Sequence, residues 1–118
     1  MKDVIYPELS YKINGIFFAV QNRLGRFCKE KQYCDEIEKE LQNKGVAYKR
    51  ELNDGSGNRM DFLIEDKIVV ECKAKNFADK EDYFQVKRYL EINNLKLGMI
   101  VNFRNSHLKP NRILNTKI

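Results

Sequence analysis

Histidine occurs once in the 118 residues, at His107, and cysteine three times, at Cys28, Cys34 and Cys72. A single imidazole excludes catalytic triads and metal sites built on several histidines of one chain. The cysteines are odd in number and lack paired C-x-x-C spacing, which argues against a disulfide framework and a structural zinc site. Reduced thiols are the expected state, so any metal chemistry falls to carboxylates. No apolar run approaches the length of a bilayer span, and Met1-Lys2-Asp3 does not open a basic-then-apolar leader. The expectation is a cytoplasmic protein with no membrane partner. Internal repeats, low-complexity stretches and interdomain linkers are absent as well. With 42% hydrophobic and 33% charged residues, positions 1–118 are expected to fold as a single domain with a real core.

Acidic residues are missing from one end. After Glu91 there are none, while Lys96, Arg104, Lys109, Arg112 and Lys117 supply five of the 22 basic residues. The first 91 residues therefore balance at 17 basic and 17 acidic, and the formal charge of +5 sits in the last quarter of the chain. A solvated tail that aids solubility and a contact for a polyanion are both open readings of that segment.

What is present is concentrated in residues 61–73, Asp-Phe-Leu-Ile-Glu-Asp-Lys-Ile-Val-Val-Glu-Cys-Lys. Asp61 lies near one end of an apolar segment, Glu65-Asp66 makes a tight turn, and Glu71 and Lys73 follow on the next apolar segment. Residues two apart on a strand share a face, so Glu71 and Lys73 point one way, and Val70, Cys72 and Ala74 point into the core. Two carboxylates converging across a hairpin can hold a divalent cation through hard oxygen ligands, and the neighbouring ammonium can position a water or offset developing negative charge. That is the chemistry of phosphodiester cleavage. Taken without Asp61, the pair Glu71 and Lys73 reads most simply as the solvated face of an edge strand. Asp61 changes the balance, because a charge flanked by Met60 and Phe62-Leu63-Ile64 requires a cation or a hydrogen-bond partner.

Periodicity predicts helices over 8–24, stopped by Gly25, and over about 29–43, closed by Gly45. Strands are expected at 46–52, 59–64 and 67–73, with a turn at 53–57 between the first two. Asp79 is the predicted N-cap of a helix reaching about Ile92, and 97–103 reads as a last, largely buried strand.

That order resembles the core of the PD-(D/E)XK nuclease superfamily, and Asp61 followed by Glu71-Cys72-Lys73 resembles its Asp, Glu-X-Lys signature. Leu24-Gly25 followed by Glu30 and Tyr33, with Gln85-x-x-x-Tyr89 leading into 95–103, is similar to the small GxxExxY proteins of that superfamily. The resemblance covers roughly residues 9–112. It implies an α/β, restriction-endonuclease-like αβββαβ core with a mixed central sheet flanked by helices. Two features depart from the pattern: Phe27 stands where a glycine is expected three residues before Glu30, and the insert at 53–58 is short.

The resemblance further implies a metal-dependent nuclease in which Asp61, Glu71 and the Cys72 carbonyl bind Mg²⁺ or Mn²⁺, Glu30 supports the ion through water, and Lys73 orients the attacking water. Gln85 would lie near Lys73 and Tyr89 near the phosphate. On residues alone, Glu30 reads as an exposed helical acid, Gln85 and Tyr89 as packing with polar tips on one helix face, and Cys72 as a core thiol. Lys75, Arg88, Arg104, Lys109 and Arg112 are the cations expected to contact nucleic acid, with DNA as the expected partner. A two-fold dimer is the simplest assembly that cuts both strands of a duplex. Two other readings stay open: a catalytically inactive nucleic-acid-binding module with the same fold in a repair or defence complex, and a small interaction protein with an acidic pocket.

Overall fold

The structure is a computed structural model that describes residues 4–53, 55 and 59–118. Positions 54, 56 and 57 of the expected 53–57 turn lie outside the described residues, as does the segment 1–3. Pro7–Leu24 forms helix α1 with Ile13, Ile16, Phe17 and Val20 buried along one stripe, as their three- and four-residue steps require. It stops at Gly25, whose φ of 78° a residue with a Cβ would adopt only under strain. Helix α2, Glu30–Asn43, buries Tyr33, Cys34, Ile37 and Leu41. Its end is a Schellman motif: the Gly45 amide donates to the Gln42 carbonyl and the Val46 amide to the Leu41 carbonyl. That use of Val46 delays the first strand, expected from residue 46, to β1, Tyr48–Asn53.

Strand β2 is Arg59–Ile64 and β3 is Ile68–Lys73. Glu65 and Asp66 between them have φ of 56° and 55°, the left-handed pair that a two-residue hairpin needs to match strand twist. Helix α3, Lys80–Asn93, starts from Asp79 as the sequence predicts, and β4 is Leu97–Asn102. A fifth strand, β5 at Asn111–Leu114, corrects the expectation that β4 is the last one. The described sheet has the order β1-β2-β3-β4-β5, antiparallel except for the central β3–β4 pair. Strands β4 and β5 thus lie within the basic end of the chain, with Arg112 on β5 and Lys109 exposed before it. Asn115 latches this end by donating to the Leu90 and Leu95 carbonyls at the end of α3.

Helices α1 and α2 cover one face of the sheet, where Phe17, Tyr33, Ile37, Phe62, Val70, Cys72 and Phe103 share a core. The Tyr33 ring stacks on Phe103 at 4.3 Å, with Phe17 edge-on at 6.1 Å. On the other face α3 lays Val86, Tyr89 and Leu90 over Met60, Val69 and Ile100. Strand β4 is buried along its whole length, as a central strand covered on both faces must be. This is the mixed-sheet α/β architecture of a restriction-endonuclease-like fold.

Candidate active site

The β2–β3 ladder runs from Ile64–Ile68 to Phe62–Val70 and then gives way to side chains. The Cys72 amide donates to the Asp61 carboxylate at 2.7 Å, and the Asp61 amide donates to Glu71 Oε1 at 3.2 Å. Backbone groups that would pair strand to strand are thus satisfied by the two acids, and both acids are held at the point where the strands part. Lys73, two residues along from Glu71, brings Nζ to 3.5 Å from its carboxylate. The carboxylates of Asp61 and Glu71 and the Lys73 ammonium meet at one spot, as residues 61–73 predict.

The electrostatics follow from this crowding. Burial, then the hydrogen bond and charge of Asp61, push the Glu71 carboxyl up to about 9 against the opposing pull of Lys73. Two adjacent carboxyls cannot both ionise cheaply in a dry site. Burial works against the Lys73 charge, yet Glu71, Asp82 and Glu30 outweigh it and raise its pKa, so it stays an ammonium. Glu30, at the first position of α2, is also raised, first by desolvation, while Lys73 acts in the other direction. Asp61, Lys75 and Asp82 act on it as well, although Glu30 is exposed and makes no ion pair or hydrogen bond with them among the described residues. Tyr33, one turn further along, donates from its hydroxyl to the Gly25 carbonyl and accepts from the Cys28 amide, tying down the turn that leads into Glu30.

Asp82 is the residue sequence reasoning missed. It is buried at the start of α3, forms a reciprocal cap with Asp79, and faces Lys73 at 3.6 Å and Lys75 at 2.5 Å. Burial alone would raise its carboxyl, but the Lys75 hydrogen bond, the Asp79 amide and the Lys73 charge hold it below the usual range. The Asp79-x-x-Asp82 capping spacing was the available signal; that it would face Lys73 depends on how α3 packs. Asn102, buried at the end of β4, clamps the loop after β3 by accepting from the Lys75 amide and donating to the Lys75 carbonyl.

A model of the PD-(D/E)XK nuclease superfamily matches residues 7–113. The chain belongs to the PD-(D/E)XK nuclease superfamily. No curated protein and no solved structure matches it.

Within this nuclease-superfamily fold the remaining sequence candidates scatter. Tyr89 is 5% exposed and packs in the α3 core beside Val86 and Leu90, the packing role its helix face also allows. Gln85 is half-buried on the same helix. Lys75 stands at the site, paired with Asp82 and, at 3.7 Å, Asp79. Arg88 pairs with Glu81 on the α3 surface, and Lys109 is exposed before β5. Arg112 donates to the Ser10 hydroxyl and the Ile5 carbonyl, fastening β5 to the α1 region. Arg104 donates to the Arg26 and Ala74 carbonyls and to Asn76 Oδ1, so it organises the loop that follows Lys73.

The residues fit a hard divalent cation, the kind of ion this superfamily typically uses. Asp61 and Glu71 offer carboxylate oxygens from adjoining strands, and a cation there would offset the burial and the Asp61 charge that keep Glu71 protonated. Thiols lie behind them: among the described residues Cys34 Sγ, Cys72 Sγ and an Asp61 oxygen are within 4.8 Å of one another. A hydrogen bond with Cys34, burial and the nearby carboxylates push the Cys72 thiol well up, so it stays protonated and is no match for an oxygen-seeking ion.

Proposed function

We propose that this protein is a metal-dependent nuclease that hydrolyses phosphodiester bonds of nucleic acid, with DNA as its substrate and Mg²⁺ or Mn²⁺ as its ion. The observation that supports this reading best is the mutual placement of Asp61, Glu71 and Lys73 at the parting of β2 and β3. In this proposal Asp61, Glu71 and the Cys72 carbonyl hold the ion, with Glu30 at its outer side. When bound, the ion would polarise the scissile phosphate and lower the pKa of a water.

The chain's own groups supply the rest. Asp61 is fixed by the Cys72 amide and by its hydrogen bond with the Glu71 carboxyl, which holds both acids facing the spot where the ion would sit. Lys73, kept charged by its acidic neighbours, is placed to orient the attacking water or to offset charge growing on the phosphate. Asp82, which pairs with Lys73 at 3.6 Å alongside Glu71 at 3.5 Å, acts as a positioning residue. In-line attack would leave a 5′-phosphate and a 3′-hydroxyl. Substrate binding through backbone charge predicts an affinity that falls steeply with salt. A cytoplasmic location, a two-fold dimer for double-strand cutting, a single domain over 1–118 and kinship with the GxxExxY group belong to the same proposal. None of the described helices is long and apolar enough to cross a membrane.

Incubation of the purified protein with plasmid, linear, branched and single-stranded DNA and with RNA, with either ion, tests the reading. Cleavage by the native protein that disappears in both Asp61→Ala and Lys73→Ala supports it. Equal activity in all three preparations marks a contaminant and overturns it. Tight binding without cleavage indicates the inactive nucleic-acid-binding module.

A further inference from the structure

A cleft of about 540 Å³ opens between the turn before α2 and the loop after β3, lined by Arg26, Phe27, Asn76, Phe77, Arg104 and His107 among others. Phe27 is 75% exposed and Phe77 is 83% exposed. Single exposed rings are ordinary on a protein surface; two rings sharing a cleft with two guanidinium groups form a pattern. Phe27 is also the residue that replaces the expected glycine.

The two arginines are locked together. Arg26 Nε donates to the Arg104 carbonyl at 2.8 Å, and Arg104 Nε donates to the Arg26 carbonyl at 3.0 Å. Both guanidinium carbons lie over the Phe27 ring, 5.1 and 5.3 Å from its centre. Among the described residues neither arginine forms an ion pair with a carboxylate, so two cations share one ring without a carboxylate counter-charge. An anion bound in the cleft would supply one, and guanidinium planes match phosphate oxygens in geometry.

Phe77 also lines a neighbouring hollow of about 200 Å³ that includes Asn102, Asn105 and Asn111. Flat apolar rings, cations and side-chain amides together suit a nucleotide whose base is free of a duplex: the base stacks, its edge meets amides, and its phosphate meets arginine. Phe27 is three residues before Glu30, and Asn76 is three residues after Lys73. Three residues of chain span at most about 11 Å, so one strand can occupy the cleft and the candidate catalytic residues together.

We propose that this cleft is a subsite for an unpaired nucleotide adjoining the scissile phosphate, which makes single-stranded segments, in isolated strands, flaps or gaps, the preferred substrate. This rests on the nuclease reading above and narrows its substrate class. Binding of short labelled single strands and of blunt duplexes, as DNA and as RNA, would be measured in EDTA so that nothing is cut. The native protein should bind single strands more tightly than duplex. Phe77→Ala should lower single-strand affinity roughly 5- to 100-fold, the usual loss when one stacking platform is removed. Phe77→Trp should restore it, and duplex affinity should not move. A strand carrying 2-aminopurine should lose fluorescence on binding the native protein and keep it on binding Phe77→Ala. The sugar of the tighter strand identifies DNA or RNA as the natural source.

Equal losses on single strands and duplex, or no loss in Phe77→Ala, overturn the subsite. If Asp61→Ala still abolishes cleavage in that case, the nuclease reading stands without it. Absence of both binding and cleavage with every nucleic acid overturns the nuclease reading itself, and the subsite with it.

Discussion

Cys72 and Asp61 are joined by a 2.7 Å hydrogen bond from backbone amide to carboxylate, just beyond the last paired position of their strands. Sheet pairing ends there because an acid takes over the bonding of a neighbouring strand's amide. The same carboxylate is thereby oriented for whatever chemistry the site performs, so structural and functional demands fall on one side chain.

Asp61→Ala leaves the Cys72 amide without its acceptor in a part-buried position. The expected loss is about 1–3 kcal/mol of unfolding free energy in urea titrations. Asp61→Asn keeps an oxygen acceptor and should lose less. Both should lower cleavage by at least roughly 100-fold, because an amide is a poor replacement for an anionic ligand. An Asn variant that cuts normally would show that the carboxylate serves the sheet alone.

Stability without metal should fall as pH rises from about 4.5 toward 9. Glu71 keeps its proton in the folded state up to about 9, whereas its ordinary value in the unfolded chain is near 4.5. The folded state then binds more protons than the unfolded one, and the slope is negative, at most about 1.4 kcal/mol per pH unit for one group. Its contribution is complete below the lower value and lost through the higher one. Melting curves in EDTA at several pH values would record this, and Glu71→Gln should flatten them. Added Mg²⁺ should stabilise the native protein most at the alkaline end.

Asp82→Ala removes the reciprocal cap of α3 and one of the carboxylates holding Lys73. A loss of about 1 kcal/mol is expected from the cap. With less negative charge beside it, the Lys73 ammonium should deprotonate at lower pH, so the alkaline limb of the cleavage profile shifts down. A purely structural role would lower stability and leave that limb in place.

Gly98→Ala tests the packing of α3 on β4. A Cβ there would come within 2.6 Å of Val86 Cγ1, the branch of a stiff side chain in a filled core. Overpacking of this kind costs about 1–3 kcal/mol. The midpoint of denaturation should drop while the slope is retained; an unchanged midpoint would mean that α3 can shift on the sheet.

The principal helices, four of the five described strands, the turn at Glu65-Asp66 and the trio Asp61, Glu71 and Lys73 were all legible in the chain itself. Each is a local signal: apolar steps of three and four, alternation, a glycine after a helix, an acid flanked by apolar residues. Strand β5 was not legible. It is four residues long, follows Pro110, and alternates half-buried with exposed positions on an edge, so only its pairing with β4 makes it a strand. A solvated tail stayed an open reading of the basic end because charge is visible in a sequence and hydrogen-bonding partners are not. Arg112 spends its guanidinium on Ser10 and Ile5, and Arg104 spends much of its own on the Arg26 and Ala74 carbonyls and the Asn76 side-chain oxygen.

By itself the sequence determined which segments become the three helices and the first four strands and that Glu71 and Lys73 share a strand face, because those depend on neighbours within a few residues. Only the tertiary structure decided that Asp82 faces Lys73, that Tyr89 is packed inside while Phe77 stands outside, and that Arg26 and Arg104 meet over Phe27. Those relations join residues from 9 to 78 positions apart, and the chain brings such residues together only when the sheet and its two helical layers close.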